Sequence, residues 1–173
     1  GLLRIEVNRD VPGAIASFTR AVELDPQFAE AHNNLGVYLL QAGNYPQAIE
    51  HLRAAVALSP AWAKAHLNLG DALRATRDYP TALAELQRAQ QLDATMVEVH
   101  YDYGRLYGEQ AREVSSTGVD NLNRKLQLLQ QAQAAFTRFR DVLGPQYAAH
   151  ARHDDVEQQL TRLTALIERT TRA

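Results

Sequence analysis

Residues 29–62 read AEAHNNLGVYLLQAGNYPQAIEHLRAAVALSPAW, and residues 63–96 read AKAHLNLGDALRATRDYPTALAELQRAQQLDATM. The second stretch repeats the residue types of the first at an offset of 34 positions. Gly36, Gly70 and Gly104 keep that spacing, as do His32, His66 and His100, and Pro12, Pro46 and Pro80. Pro26 and Pro60 keep it too. A fixed period of this length marks stacked helical units, none of which can bury its apolar face alone. The chain is therefore expected to form a solenoid.

Inside a unit the apolar residues follow helical spacing. In the second unit the first helix carries Leu35, Gly36 and Leu39, Gly43-Asn44-Tyr45 turns the chain, and the helix from Pro46 buries Ala48, Leu52 and Ala55. The third unit repeats this with Leu69, Gly70 and Leu73, then Arg77-Asp78-Tyr79, then Ala82, Leu86 and Ala89. A proline opening a helix loses no hydrogen bond, because its missing N–H is one the first turn leaves unpaired. Gly36 and Gly70 are expected to face Ala48 and Ala82 at a close helix crossing. Upstream, residues 1–8 read as the second half of a helix, with Ile5 on its apolar face. The helix from Pro12 should bury Ala14, Phe18 and Ala21 and end at Asp25-Pro26. Gly1 falls in mid-pattern, so the chain reads as a fragment or a processed form.

The fourth unit begins in register with VEVHYDYG, Val97 to Gly104, and then departs. The stripe Ala132, Phe136 and Phe139 arrives 16 residues late, after the turn-like SSTGVDN of residues 115–121. The simplest account lengthens both helices by about eight residues, or roughly 12 Å each. From Gln146 to about Arg169 the chain reads as one further helix with the stripe Val156, Leu160, Leu163 and Ile167, a polar-backed cap on the solenoid. The expected units are 1–28, 29–62, 63–96, 97–146 and 147–173, in one continuous all-α domain.

The 173 residues include 18 basic and 20 acidic side chains, a formal charge of −2. That balance points away from nucleic acid and anionic membrane surfaces as partners. Cysteine is absent, so disulfides are excluded, and no apolar run is long enough to span a bilayer. A glycine-rich phosphate loop, a GxSxG elbow and an HExxH motif are all missing, so the expectation is a protein that is not an enzyme and carries no cofactor.

These residues resemble the tetratricopeptide repeat, a helix–turn–helix family, through Leu35-Gly36, Ala48, Leu52, Ala55 and Pro60. The third unit departs from the pattern only where Ala94 stands for the proline and, like the second, in having a histidine early in its first helix. The resemblance covers residues 1 to about 110 and implies a right-handed superhelical scaffold whose first helices line a concave groove. Carried over, the groove takes Glu30, Asn33, Asn34, Val37 and Gln41 from the second unit. The third supplies Lys64, Leu67, Asn68, Asp71 and Arg74, and the fourth Glu98, Tyr101, Asp102, Arg105 and Glu109. Tyr101 should face the groove, whereas Tyr103 and Tyr107 hold the core register.

Asn34, Asn68 and Asp102 form a row that looks like the asparagine ladder of the O-linked N-acetylglucosamine transferase repeats. Such amides pair with a peptide backbone whatever its sequence; the plainer reading is a solvated polar surface. The acidic side chains of the wall favour an extended partner that is not itself acidic. The carboxylate clamp of chaperone co-factors is excluded, since Asn33, Val37, Glu98 and Asp102 stand where it needs three basic residues and an asparagine. The long hairpin and final helix also look like those of bacterial envelope and motility assemblies, so a docking subunit is the second reading.

Two sets of histidines have the residue types of metal ligands. His32, His66 and His100 lie in successive layers about 8–10 Å apart and cannot share one ion whose ligands sit about 2 Å away, so they read as packing. His150, His153, Asp154 and Glu157 fall on one face of a continuous helix and give a third reading, a metal site.

Overall fold

The computed structural model describes residues 10–172, which form eight α-helices. They are α1 (Val11–Leu24), α2 (Ala29–Gln41), α3 (Tyr45–Leu58), α4 (Ala63–Ala75) and α5 (Tyr79–Leu92). After these come α6 (Glu98–Glu113), α7 (Val119–Leu143), a 3-10 segment (Gly144–Ala149) and α8 (His153–Thr171). Helices α2–α3, α4–α5 and α6–α7 pair as antiparallel hairpins, stacked in chain order into a right-handed α-solenoid. The expected helix over residues 1–8 lies outside the described residues.

Local chemistry sets the helix ends. The Asp10 carboxylate accepts from Gly13 N–H at 2.9 Å, and Asp78 does the same for Thr81 at 3.4 Å. Asp25, Ser59 and Asp93, one period apart, each stop a helix by leaving helical geometry while their N–H still bonds to the carbonyl four residues back. The turn before each second helix needs a left-handed residue. Gly43 supplies it at φ 77°, and Arg77, one period later, adopts φ 65° despite its side chain.

The close crossing is real and tighter than alanine spacing alone implies. A Cβ at position 36 would lie 2.5 Å from Leu52 Cγ, and one at position 70 would lie 2.9 Å from Leu86 Cδ2. The glycines thus face the leucine one turn beyond the expected alanine, plus that alanine's carbonyl oxygen. At Gly104 the same place is taken by the Phe136 ring, 2.8 Å from a notional Cβ, so the late stripe is in register. Leu52, Leu73, Leu86 and Leu106 are fully buried in the central core, each contributing about 1.5–3 kcal/mol. A second cluster, with Leu129, Phe136, Phe139, Val156 and Leu163, joins α7 to α8.

Three expectations need correction. The added length of the fourth hairpin is not shared equally: α6 has 16 residues against 13 in α4, whereas α7 has 25 against 14 in α5. After Glu113 the chain turns through Ser115–Gly118 into α7, and Lys125 Nζ of α7 donates to Val114 O and Ser116 Oγ. The last helix starts at His153 rather than Gln146, since Gly144–Ala149 coil as a 3-10 turn. Finally, Ala14, Phe18 and Ala21 are only half-buried, because α2 is the helix that packs on α1 among the described residues. No helix there is long and apolar enough to cross a membrane.

Gly70→Leu should destabilise the fold by about 1–3 kcal/mol or more, because Leu86 and the Ala82 carbonyl cannot both retreat. Chemical denaturation checks this, and an unchanged midpoint would contradict the crossing.

Candidate functional site

The residues expected on the inner wall do lie on α2, α4 and α6, but at different depths. Glu30, Gln41 and Lys64 are exposed. Asn34, Val37, Asn68, Asp71, Glu98, Tyr101, Arg105 and Glu109 are half-buried. Asn33, Leu67, Arg74 and Asp102 are buried; Asn33 and Arg74 fasten neighbouring layers together, whereas Asp102 meets Arg105 of its own helix.

Asn68 Nδ2 donates to Asn33 Oδ1 at 2.8 Å, and Asn33 Nδ2 donates to Asn34 Oδ1 at 3.3 Å. Deeper along the wall, Arg74 donates from Nε and Nη2 to Asp71 Oδ1 at 3.1 and 2.8 Å, and from Nη1 to Glu109 at 2.5 Å. Arg105 Nη1 reaches Asp71 at 2.9 Å and stands 3.7 Å from Asp102. Tyr79 donates its hydroxyl to Glu113 at 2.8 Å. Each of these inter-layer partners sits one period on, 34 or 35 residues away. Complementary side chains at that offset were the available signal, and reading the units singly missed it.

The expected row of open acceptors is therefore corrected. Asp102 is buried, and the amide nitrogen of Asn68 is engaged by Asn33, which leaves Asn34 Nδ2 and Asn68 Oδ1 free of side-chain partners among the described residues. The acidic bias of the wall is reduced. Asp71, Asp102 and Glu109 are answered by Arg74 and Arg105, while Glu30 and Glu98 form no ion pair among the described residues.

Tyr101 does not look into an open groove. It packs edge-on against Phe136 at 5.7 Å, donates its hydroxyl to Asp155 of α8 at 2.7 Å, and lies 3.8 Å beneath the Arg152 guanidinium. Together α6, α7 and α8 enclose a cavity of about 610 Å³ at this end of the wall. No reading of the repeats pointed to Arg152, which precedes α8.

The histidine ladder is buried or half-buried as packing requires, and the side chains of His32 and His66 are also hydrogen-bonded. His66 bridges Glu85 Oε2 at 2.6 Å and Pro60 O at 3.0 Å, and His32 bridges His51 at 3.1 Å and Pro26 O at 3.2 Å. These bonds pin the turn before α4 and the turn before α2. The metal reading at His150 and His153 is corrected. His150 lies in extended backbone outside α8, its Nδ1 accepts from Arg152 N–H, and Glu157 accepts from the Tyr147 hydroxyl. Among the described residues no three such side chains converge on one ion.

Burial and the neighbouring Asp71 carboxylate push the Asp102 carboxyl up to about 7. Folding a carboxyl whose pKa rises above its unfolded value costs stability once pH exceeds that unfolded value, and the cost grows until pH passes the folded one. Asp102→Asn should therefore raise the melting temperature at pH 8, with the gain shrinking toward zero as pH falls to about 4. Thermal melts across that range check it, and a gain independent of pH would contradict it.

Among solved structures the chain is similar to MamA, with a TM-score of 0.58 at 20% identity over 95% of this chain and 92% of that one. It is also similar to a mutant O-GlcNAc transferase of Thermobaculum terrenum, with a TM-score of 0.54 at 28% identity, covering 73% of this chain and 23% of that one. No curated protein matches the chain. The family model described as tetratricopeptide repeat matches residues 7–61 and 38–97, together more than half of the sequence. With the glycine crossings and stacked hairpins in place, the chain belongs to the tetratricopeptide-repeat family of protein-interaction scaffolds.

Proposed function

We propose that this chain is a non-enzymatic scaffold that holds an extended peptide or protein segment along the wall of α2, α4 and α6. The observation that carries the reading is the set of inter-layer bonds one period apart, Asn33 to Asn68, Asp71 to Arg105 and Arg74 to Glu109. A wall fixed in this way loses little conformational freedom when a ligand binds, which leaves more of the contact energy as affinity. Asn34 Nδ2 and Asn68 Oδ1, a donor and an acceptor, suit the C=O and N–H of an extended backbone.

A specific observation supports the second reading, a subunit of a larger assembly that docks through the long hairpin. Val119 at the start of α7 is 73% exposed, and the first turns of α7 run on beyond the end of α6. The two readings separate on a partner recovered by pull-down with the intact protein. Asn34→Ala with Gln41→Ala should weaken that partner by about 0.5–1.5 kcal/mol per lost hydrogen bond while leaving stability within about 0.5 kcal/mol. Titration calorimetry beside Val119→Asp decides. If only the tip variant loses binding, the wall reading is wrong and the docking subunit replaces it.

A further inference from the structure

We propose that the cavity between α6, α7 and α8 is a specificity pocket for an acidic peptide segment that carries a large apolar side chain. The inference rests on the scaffold reading and names the chemistry its partner must have at this end of the wall. The cavity, of about 610 Å³, falls within the range of about 300–1,000 Å³ usual for binding clefts. It is apolar in depth, where Leu129, Phe136, Leu163 and Leu166 line it. Charge stands around these residues: Arg105, Arg112, Lys125, Arg152 and Arg162 against the two carboxylates Glu109 and Asp155.

Both carboxylates already have partners, Glu109 the guanidinium of Arg74 and Asp155 the hydroxyl of Tyr101. The cations are less well satisfied. Among the described residues, Arg112, Arg152 and Arg162 form no ion pair, and Nη1 of Arg152 is buried without a hydrogen-bond acceptor. A buried guanidinium nitrogen left unpaired is costly, and a ligand carboxylate would relieve that cost with a charge-assisted bond. Arg152 is held in place for this by the Tyr101 ring beneath it.

Gly108 provides an independent sign. Gly36, Gly70 and Gly104 are forced by side chains packed against them, but a Cβ at Gly108 would meet only Ala132 Cβ, at an ordinary 3.9 Å. One and two periods earlier the same position holds Arg74 and Leu40. A glycine inside a helix costs roughly 0.5–1 kcal/mol relative to alanine, and here helix packing does not require it. Its missing side chain keeps the cavity open, since Gly108 lines it. Apolar depth, unpaired cations and an unforced glycine converge on one ligand class: an aliphatic or aromatic anchor flanked by Asp or Glu.

The test is selection of a random dodecapeptide library on the intact chain, followed by fluorescence anisotropy of the best synthetic peptide. Enriched sequences should combine net negative charge with a large apolar residue, and their affinity should fall as salt rises. Arg112→Glu with Arg162→Glu, both at exposed positions, should weaken the peptide at least tenfold. Gly108→Leu should do the same with an equal or higher melting temperature, which separates blocked binding from lost folding. Enrichment of neutral or basic peptides, an absence of enrichment, or acidic binding that survives both variants would overturn the proposal. Binding lost only with Asn34→Ala and Gln41→Ala would overturn the pocket and leave the wall; binding lost only with the pocket variants would overturn the wall and leave the pocket.

Discussion

Within each hairpin the two helices cross so closely that one of them must carry no side chain at the contact. Gly36 against Leu52, Gly70 against Leu86 and Gly104 against Phe136 are three instances of this constraint. The close approach lets Ala48, Ala55, Ala82 and Ala89 pack with no exposure, so a unit of about 34 residues can bury its leucines against its neighbour. Stacking then follows from geometry: with one crossing repeated, successive first helices line up and their side chains meet one period apart. The wall chemistry is thus a consequence of the glycine contact.

Much of this was legible in the sequence. The period, the hairpins and the late register of Ala132 and Phe136 all come from spacing, which encodes helix faces directly. Spacing could not tell how the 16 extra residues divide, because it reports only their sum. Their division depends on Ser115–Gly118 closing the turn early and on Lys125 tying that turn back. The break at His150 was hidden for a similar reason. Its apolar and acidic neighbours keep helical spacing, yet its ring accepts the Arg152 N–H and its backbone N–H bonds to Tyr147, local bonds that compete with the helix.

The candidate site was legible by position and illegible by depth. Asn33, Arg74 and Asp102 sit on the wall as expected, but burial turns Asn33 and Arg74 from ligand contacts into fasteners between layers and closes Asp102 off from a ligand. That distinction needs the tilt between successive helices, which no single repeat contains. The cation-rich cavity escaped for another reason: Arg152 and Arg162 lie outside the repeats, and they meet Arg105 and Arg112 only because α8 packs on α7.

The layers are not joined with equal strength. Among successive helices the packing of α5 on α6 is the slightest, while α7 and α8 are bound into one cluster with α6. α6 belongs to both sides of this boundary, since its Val99, Tyr103 and Leu106 share the central core with α4 and α5. The pairs Asp71–Arg105 and Arg74–Glu109 tie α4 to α6 across it. Any change in the spacing of α4 and α6 must lengthen or compress both pairs. Because Arg105 and Glu109 also line the terminal cavity, the side chains that brace one layer against the next are also part of that cavity's wall.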